Sequence, residues 1–161
     1  MPQTKPEYGL IPAEIVATMT GLELLTGMIA GRLPGPPIME TLDFKAIKVE
    51  FGRAVFEGVP QFKHYNPLGT VHGGYTATLL DSCMGCAVHT TLPKGIGYTT
   101  LEFKVSLIRP LTRDTGLVRA EGKVLNAGRR AATAEGRVTD SNGKLLAHAT
   151  TTCLIFDLPK N

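Results

Sequence analysis

The chain is short of most features that would mark a specialised class. It has no tryptophan, and its six Phe and four Tyr form no stacking motif of the kind that reads nucleic acid. Charge is sparse: 17 basic against 14 acidic residues leave a net +3. The basic residues are scattered, whereas a nucleic-acid face needs a dense patch, so no nucleic-acid partner is expected. Cysteine is rare: Cys83, Cys86 and Cys153 make an odd count, which argues against a disulfide framework. Long apolar runs free of turn signals are absent, so no membrane span is expected. Residues 1–10 lack a basic stretch leading into an apolar core, the pattern of a signal peptide. A cytoplasmic protein is the expectation.

What is present suits one folded domain. The 161 residues are 43% hydrophobic and 19% charged, enough to build a single core and too apolar for a disordered chain. There is no internal repeat. The chain is organised around residues 66–92, NPLGTVHGGYTATLLDSCMGCAVHTTL. A turn signal at Asn66-Pro67-Leu68-Gly69 leads to His72-Gly73-Gly74, and the next residues hold no proline and only Asp81 as a carboxylate. The pattern predicts one helix from Gly73 to about Thr91, closed by Pro93 and Gly95. At 1.5 Å per residue it is about 28 Å long.

That helix is apolar or small nearly all round, which predicts burial on most sides. Gly74, Thr78, Asp81 and Gly85 fall on one stripe. Asp81 has two readings. One is an ordinary helix aspartate reaching a solvated edge; the other is a general base or nucleophile facing a cleft. The helix start favours chemistry, because its free N–H groups attract an anion or oxyanion and glycine lets a ligand approach closely. His72 beside the glycines is a structural hydrogen-bonding residue or a catalytic one. The CxxC at Cys83–Cys86 lies inside the apolar helix, where two small buried residues are expected rather than a redox or metal site.

Around this helix the pattern is regular. Pro12 to about Gly31 predicts a helix with Ile15, Val16, Met19, Leu22, Leu25, Met28 and Ile29 on its apolar face. Residues 1–9 are expected to be a loose tail, and Leu33-Pro34-Gly35-Pro36-Pro37 a stiff connector. The division is thus 1–37 for tail, helix and connector, and 38–161 for the main domain. Alternating runs from Leu42 to Val59, at 100–107, 117–125, 131–139 and 144–156 predict strands joined by turns. In the run after the helix, Leu101, Phe103, Val105 and Leu107 are expected on one face, with Thr100, Glu102, Lys104 and Ser106 on the other. Consecutive hairpins and one long helix predict an α+β fold, an antiparallel sheet wrapped around the central helix.

Asn66, His72-Gly73-Gly74 and Leu80-Asp81, with the strand Thr100–Val105, Arg109-Pro110, and Gly143-Lys144 followed by Ala147, Ala149 and Thr150, resemble one family. They look like the hotdog-fold acyl-CoA thioesterases of the PaaI (phenylacetate-degradation) type, over about residues 40–157. The resemblance implies that Asp81 is the catalytic carboxylate and that the Gly73 N–H polarises the thioester carbonyl, with His72 beside it. Asn66 then helps to hold substrate or water, and Thr100, or its neighbour Thr99, lies near the attacking water. It implies a homo-oligomer whose subunits pair sheet edges, with the site at their junction and dimers pairing into a homotetramer. Arg129, at a hairpin turn beside Arg130, is a candidate for CoA phosphate, or a solubilising turn residue.

The expected activity is hydrolysis of an acyl-CoA, with an aryl, phenylacetyl-type or medium-chain acyl group. No cofactor and no metal are required, since CoA is part of the substrate. Two rivals stand beside it: a hotdog acyl-thioester dehydratase or hydratase using His72 with Asp81, and a non-catalytic acyl-CoA-binding protein.

Overall fold

A computed structural model describes residues 7–159. The tail expected over residues 1–9 lies outside the described residues for positions 1–6, but Tyr8 is not loose. It forms a parallel bridge to Gly35, with Gly9 N–H donating to Gly35 at 2.9 Å and Gly35 N–H to Glu7 at 2.9 Å.

The single helix expected over Pro12–Gly31 is two helices, α1 (Ala13–Thr18) and α2 (Gly21–Ile29). The break has a local cause. Thr20 accepts the Glu23 N–H at 3.2 Å while the Glu23 carboxylate accepts the Thr20 N–H at 2.9 Å. This reciprocal capping box starts a new helix inside the apolar run. The connector also ends earlier than expected, because Pro37 opens a further helix, α3 (Pro37–Leu42). Proline suits a first helical position, where its missing N–H has no partner to lose. Asp43, left-handed at φ 49, ends α3 and turns the chain into the sheet.

Six strands form one antiparallel sheet: β1 (Phe44–Glu50), β2 (Arg53–Gly58), β3 (Ile96–Leu107), β4 (Val118–Ala127), β5 (Ala131–Asp140) and β6 (Leu145–Asp157), in the order β1-β2-β4-β5-β6-β3. The long helix α4 (Gly73–His89) lies across one face. Leu79, Leu80, Cys83, Met84, Ala87 and Val88 are all at 0% exposure, facing Phe56, Ala120, Ala134, Val138 and Ala147 of the sheet. Two glycines set how deep the helix sits. Gly122 and Gly136 pair across β4 and β5; a side chain at Gly122 would collide with the Cys83 carbonyl, and one at Gly136 would come within 2.8 Å of Met84 Cγ. At the far end of α4, Gly21 allows α2 the same close approach to the His89 backbone, and its N–H donates to Leu92 at 3.1 Å.

The edge strand β3 departs from the expected alternation. Its pairing with β6 slips between Thr100 and Glu102, so Leu101 is an extra residue in a β-bulge, which reverses the side-chain phase beyond it. Thr100 lies opposite the buried Cys153, and Phe103 opposite the buried Thr151. Thr100 therefore shares the helix-facing side with Phe103, Val105 and Leu107, and not with Lys104 and Ser106 as strict alternation predicts. The bulge is what aims Thr100 at the helix.

Candidate active site

The first half of the site is the lead-in to α4. Asn66 organises its own loop. Its side-chain oxygen accepts N–H groups from Leu68 at 2.9 Å and Thr70 at 3.3 Å, and its amide donates to the Thr70 hydroxyl at 2.8 Å. The strand-like stretch that follows is pinned on both sides: Val71 N–H donates to Leu111 at 2.8 Å and His72 N–H to the His64 carbonyl at 2.7 Å. His64 is 6% exposed; its Nδ1 accepts the Gln61 N–H at 3.0 Å, and its ring stacks on Tyr75 at 4.4 Å. Burial lowers the His64 pKa, favouring the neutral ring, and pushes the Tyr75 phenol up to about 12.

His72 is the helix cap, its Nδ1 accepting the Gly74 N–H at 2.9 Å. The Gly73 N–H, by contrast, has no acceptor among the described residues. It sits at the positive end of the α4 dipole, an electrostatic invitation to an oxyanion. Gly73 lines a cavity of about 290 Å³ with Asn66, Thr76, Leu107 and Arg109. A Cβ at this position would meet Leu107 Cδ1 at 2.7 Å. The Arg109 guanidinium is turned back to donate to the Leu145 carbonyl.

The second half is two turns along the same helix. Asp81 is half-buried, and the Thr100 hydroxyl donates to its Oδ1 at 2.9 Å. Its other oxygen has no partner among the described residues. One oxygen is held, so the carboxylate is oriented, and the other is left to act on a ligand. Thr99 is exposed on the opposite side of β3 and pairs with Leu154. Near Asp81, burial pushes the Cys86 thiol up to about 12 and raises that of Cys153.

These halves do not meet within one chain. Gly73 and Asp81 are eight residues apart on one straight helix, about 12 Å of axial rise, whereas groups that act on one reacting carbonyl must come within about 3–3.5 Å of it. Nor do His72 and Asp81 form a dyad within the chain. Arg129 is further still. It and Arg130 are exposed at the β4–β5 turn and line the largest described cavity, about 780 Å³, with Leu92, Ile96 and Phe156 at the C-terminal end of α4.

An antiparallel sheet with one long helix packed on it is the hotdog fold of the thioesterases. The chain belongs to the thioesterase superfamily, which it matches over residues 68–147. A protein of Saccharolobus solfataricus named as an esterase is 34% identical over 113 residues, covering 70% of this chain and 78% of that one. The 1,4-dihydroxy-2-naphthoyl-CoA hydrolase of Listeria monocytogenes is 25% identical over 109 residues, 68% of this chain and 87% of its own. The crystal structure of a phenylacetic acid degradation-related protein of Ralstonia eutropha superposes with a TM-score of 0.73 at 30% identity, covering 81% of this chain and 98% of the other. No helix among the described residues is long and apolar enough to cross a membrane.

Proposed function

We propose that the protein hydrolyses an acyl-CoA to the free acid and CoA, the acyl group being of aryl, phenylacetyl or medium-chain type. The observation that carries this is the Asp81 carboxylate, held at one oxygen by Thr100 and, among the described residues, open at the other, on the same helix as a Gly73 N–H that has no acceptor among those residues. The N–H stabilises the oxyanion that develops on the thioester carbonyl, usually a large contribution to such a reaction. Asp81 acts as general base on water or as nucleophile on the carbonyl. In either case the C–S bond breaks, CoA leaves as its thiol, and water supplies the oxygen and the proton. Thr100 positions the carboxylate, and Asn66 holds the loop that presents the helix start. The similarity to a naphthoyl-CoA hydrolase and to a phenylacetic acid degradation-related protein supports a CoA thioester as the substrate class.

The 12 Å gap on one helix is bridged by pairing two copies, Gly73 of one facing Asp81 of the other. The exposed edge strand β3 carries Leu101 at 58%, Phe103 at 39% and Leu107 at 57% exposure, an apolar edge that pairing would cover. A dimer follows from this reading, and the family resemblance extends it to a pair of dimers. Arg129 and Arg130 are the groups available for CoA phosphates.

The test is thiol release from a panel of acyl-CoAs by wild type and by Asp81→Ala, with melting curves for both. A folded Asp81→Ala variant is expected to lose about a hundredfold or more in kcat. Full activity in that variant would remove Asp81 from the chemistry, and no thiol release by wild type would remove the hydrolase reading.

A further inference from the structure

No step at Gly73 or Asp81 uses the buried pair His64 and Tyr75. His64 closes a single turn of 3-10 helix, Phe62–His64, and three contacts fix it. Its Nδ1 accepts the Gln61 N–H at 3.0 Å, its carbonyl accepts the His72 N–H at 2.7 Å, and its ring stacks on Tyr75 at 4.4 Å. Tyr75 lies in the first turn of α4 and donates its own N–H to the His72 carbonyl at 3.0 Å. Its hydroxyl fills the space that glycine leaves at position 58, where a side chain would collide with it. His64 thus holds the residue before Gly73 with its carbonyl and the residue after Gly74 with its ring.

The hold depends on a neutral ring. With Nδ1 accepting an N–H, the ring proton is on Nε2. Among the described residues neither that Nε2 nor the Tyr75 hydroxyl has a partner. A second proton on Nδ1 would face the Gln61 N–H donor to donor, and would leave a buried cation without an acceptor. The neighbouring charges give no relief. Asp43, at the end of α3, is bound to Lys63 at 2.6 Å, and burial keeps the Tyr75 phenol protonated. His72 meets His64 through its backbone, while its own Nδ1 caps Gly74. We infer that His64 is a positioning residue for the oxyanion donor: as a neutral ring it holds His72 and Tyr75, and with them the Gly73 N–H, and on protonation at Nδ1 it releases them. This deepens the hydrolase reading and rests on it. Burial, and then Lys63, lower the His64 pKa from 6.5, against a smaller opposite pull from Asp43. The helix start is therefore held above that value and released as pH falls through the folded pKa.

Two variants separate the acceptor from the charge. His64→Phe keeps a ring on Tyr75 but gives the Gln61 N–H no acceptor. His64→Asn offers a side-chain oxygen in place of Nδ1 and does not titrate. Thiol release from a panel of acyl-CoAs is followed between about pH 5 and 8, with melting curves for each protein. His72→Asn is measured beside them to account for the other imidazole at the helix start. At about pH 8, His64→Phe is expected to lower kcat about tenfold, the scale of one hydrogen bond, with KM near wild type, and His64→Asn to recover most of that loss. Both should lose the part of the acid fall in kcat that follows the His64 titration in wild type. Amide hydrogen exchange at His72 reads the hold without turnover. Its protection is expected to drop about tenfold or more in wild type as the His64 imidazole, followed by NMR, takes its proton, and to persist in His64→Asn. An acid fall in kcat as large in His64→Asn as in wild type, or His72 protection that does not follow the His64 imidazole, would overturn the inference. Absence of thiol release by wild type at every pH would defeat the hydrolase reading, and the exchange data would still decide whether His64 holds the helix start.

Discussion

Helix α4 has two faces with opposite uses. The face on the sheet is closed: Leu79, Leu80, Cys83, Met84, Ala87 and Val88 have no exposure at all, and the sheet gives up side chains at Gly122 and Gly136 to receive them. The other face carries Gly74, Thr78 and Asp81, still partly open. The first face makes the helix rigid. The second can then hold a glycine N–H and a carboxylate in fixed places at no structural profit to itself. Stability and chemistry are thus separated on one element, about half a turn apart, and substitutions on each face should report separately.

The largest expected effect on the open face is at Gly73. Proline fits a first helical position and deletes only the N–H; its ring meets Leu107 at a flexible side-chain end. Gly73→Pro is expected to lower kcat by about 10²- to 10³-fold, as loss of an oxyanion donor does, with melting temperature little changed. Gly73→Ala keeps the N–H, meets the same Leu107 atom, and is the control. On the closed face, Leu80→Ala is expected to cost about 2–5 kcal/mol in urea unfolding while kcat per folded molecule stays near wild type. If Leu80→Ala changed kcat as much as Gly73→Pro, the separation of faces would fail.

A smaller effect is expected at Thr100. Thr100→Val removes the hydroxyl that orients Asp81 and should lower kcat about tenfold, in line with about 1–1.5 kcal/mol for one hydrogen bond, with KM much less affected. The smallest concerns pH and stability. Burial lowers the pKa of both His64 and His89 from 6.5 in the folded chain. Near and below that value the unfolded chain binds more protons, so stability is fully present above about pH 6.5 and falls as pH drops through the folded pKa values. His64→Phe, keeping the stack on Tyr75, should flatten part of that slope in denaturation followed between pH 5 and 7, about the range where unperturbed histidine titrates.

Much of this was legible in the sequence because it rests on periodicity. The α4 run, the turn signals and the alternating strands specify the sheet and its helix directly. Three features were not legible, each for a physical reason. The α1–α2 break depends on Thr20 and Glu23, a capping box hidden within a helical apolar repeat. Helix α3 follows prolines that also mark a connector. The Leu101 bulge leaves no local trace, since the strand composition is the same on either side of it; only pairing with β6 shows that Thr100 faces the helix. The order Asn66, His72-Gly73-Gly74, Asp81 was readable, and so was the eight-residue step from Gly73 to Asp81 along one predicted helix; the Thr100 hydroxyl on Asp81 needed the sheet. That Gly73 and Asp81 lie too far apart to act together within one chain follows from the length of helix between them.

The central claim, that an acyl-CoA is cleaved between Gly73 of one copy and Asp81 of another, is tested most directly by mixing. Gly73→Pro and Asp81→Ala, each nearly inactive, are unfolded together in equal amounts, refolded, and assayed for thiol release. Half of the resulting dimers are mixed and each mixed dimer holds one intact site, so activity should return to about a quarter of wild type. Activity that stays at the level of the separate variants, with both shown to be folded and dimeric, would contradict a site shared between copies.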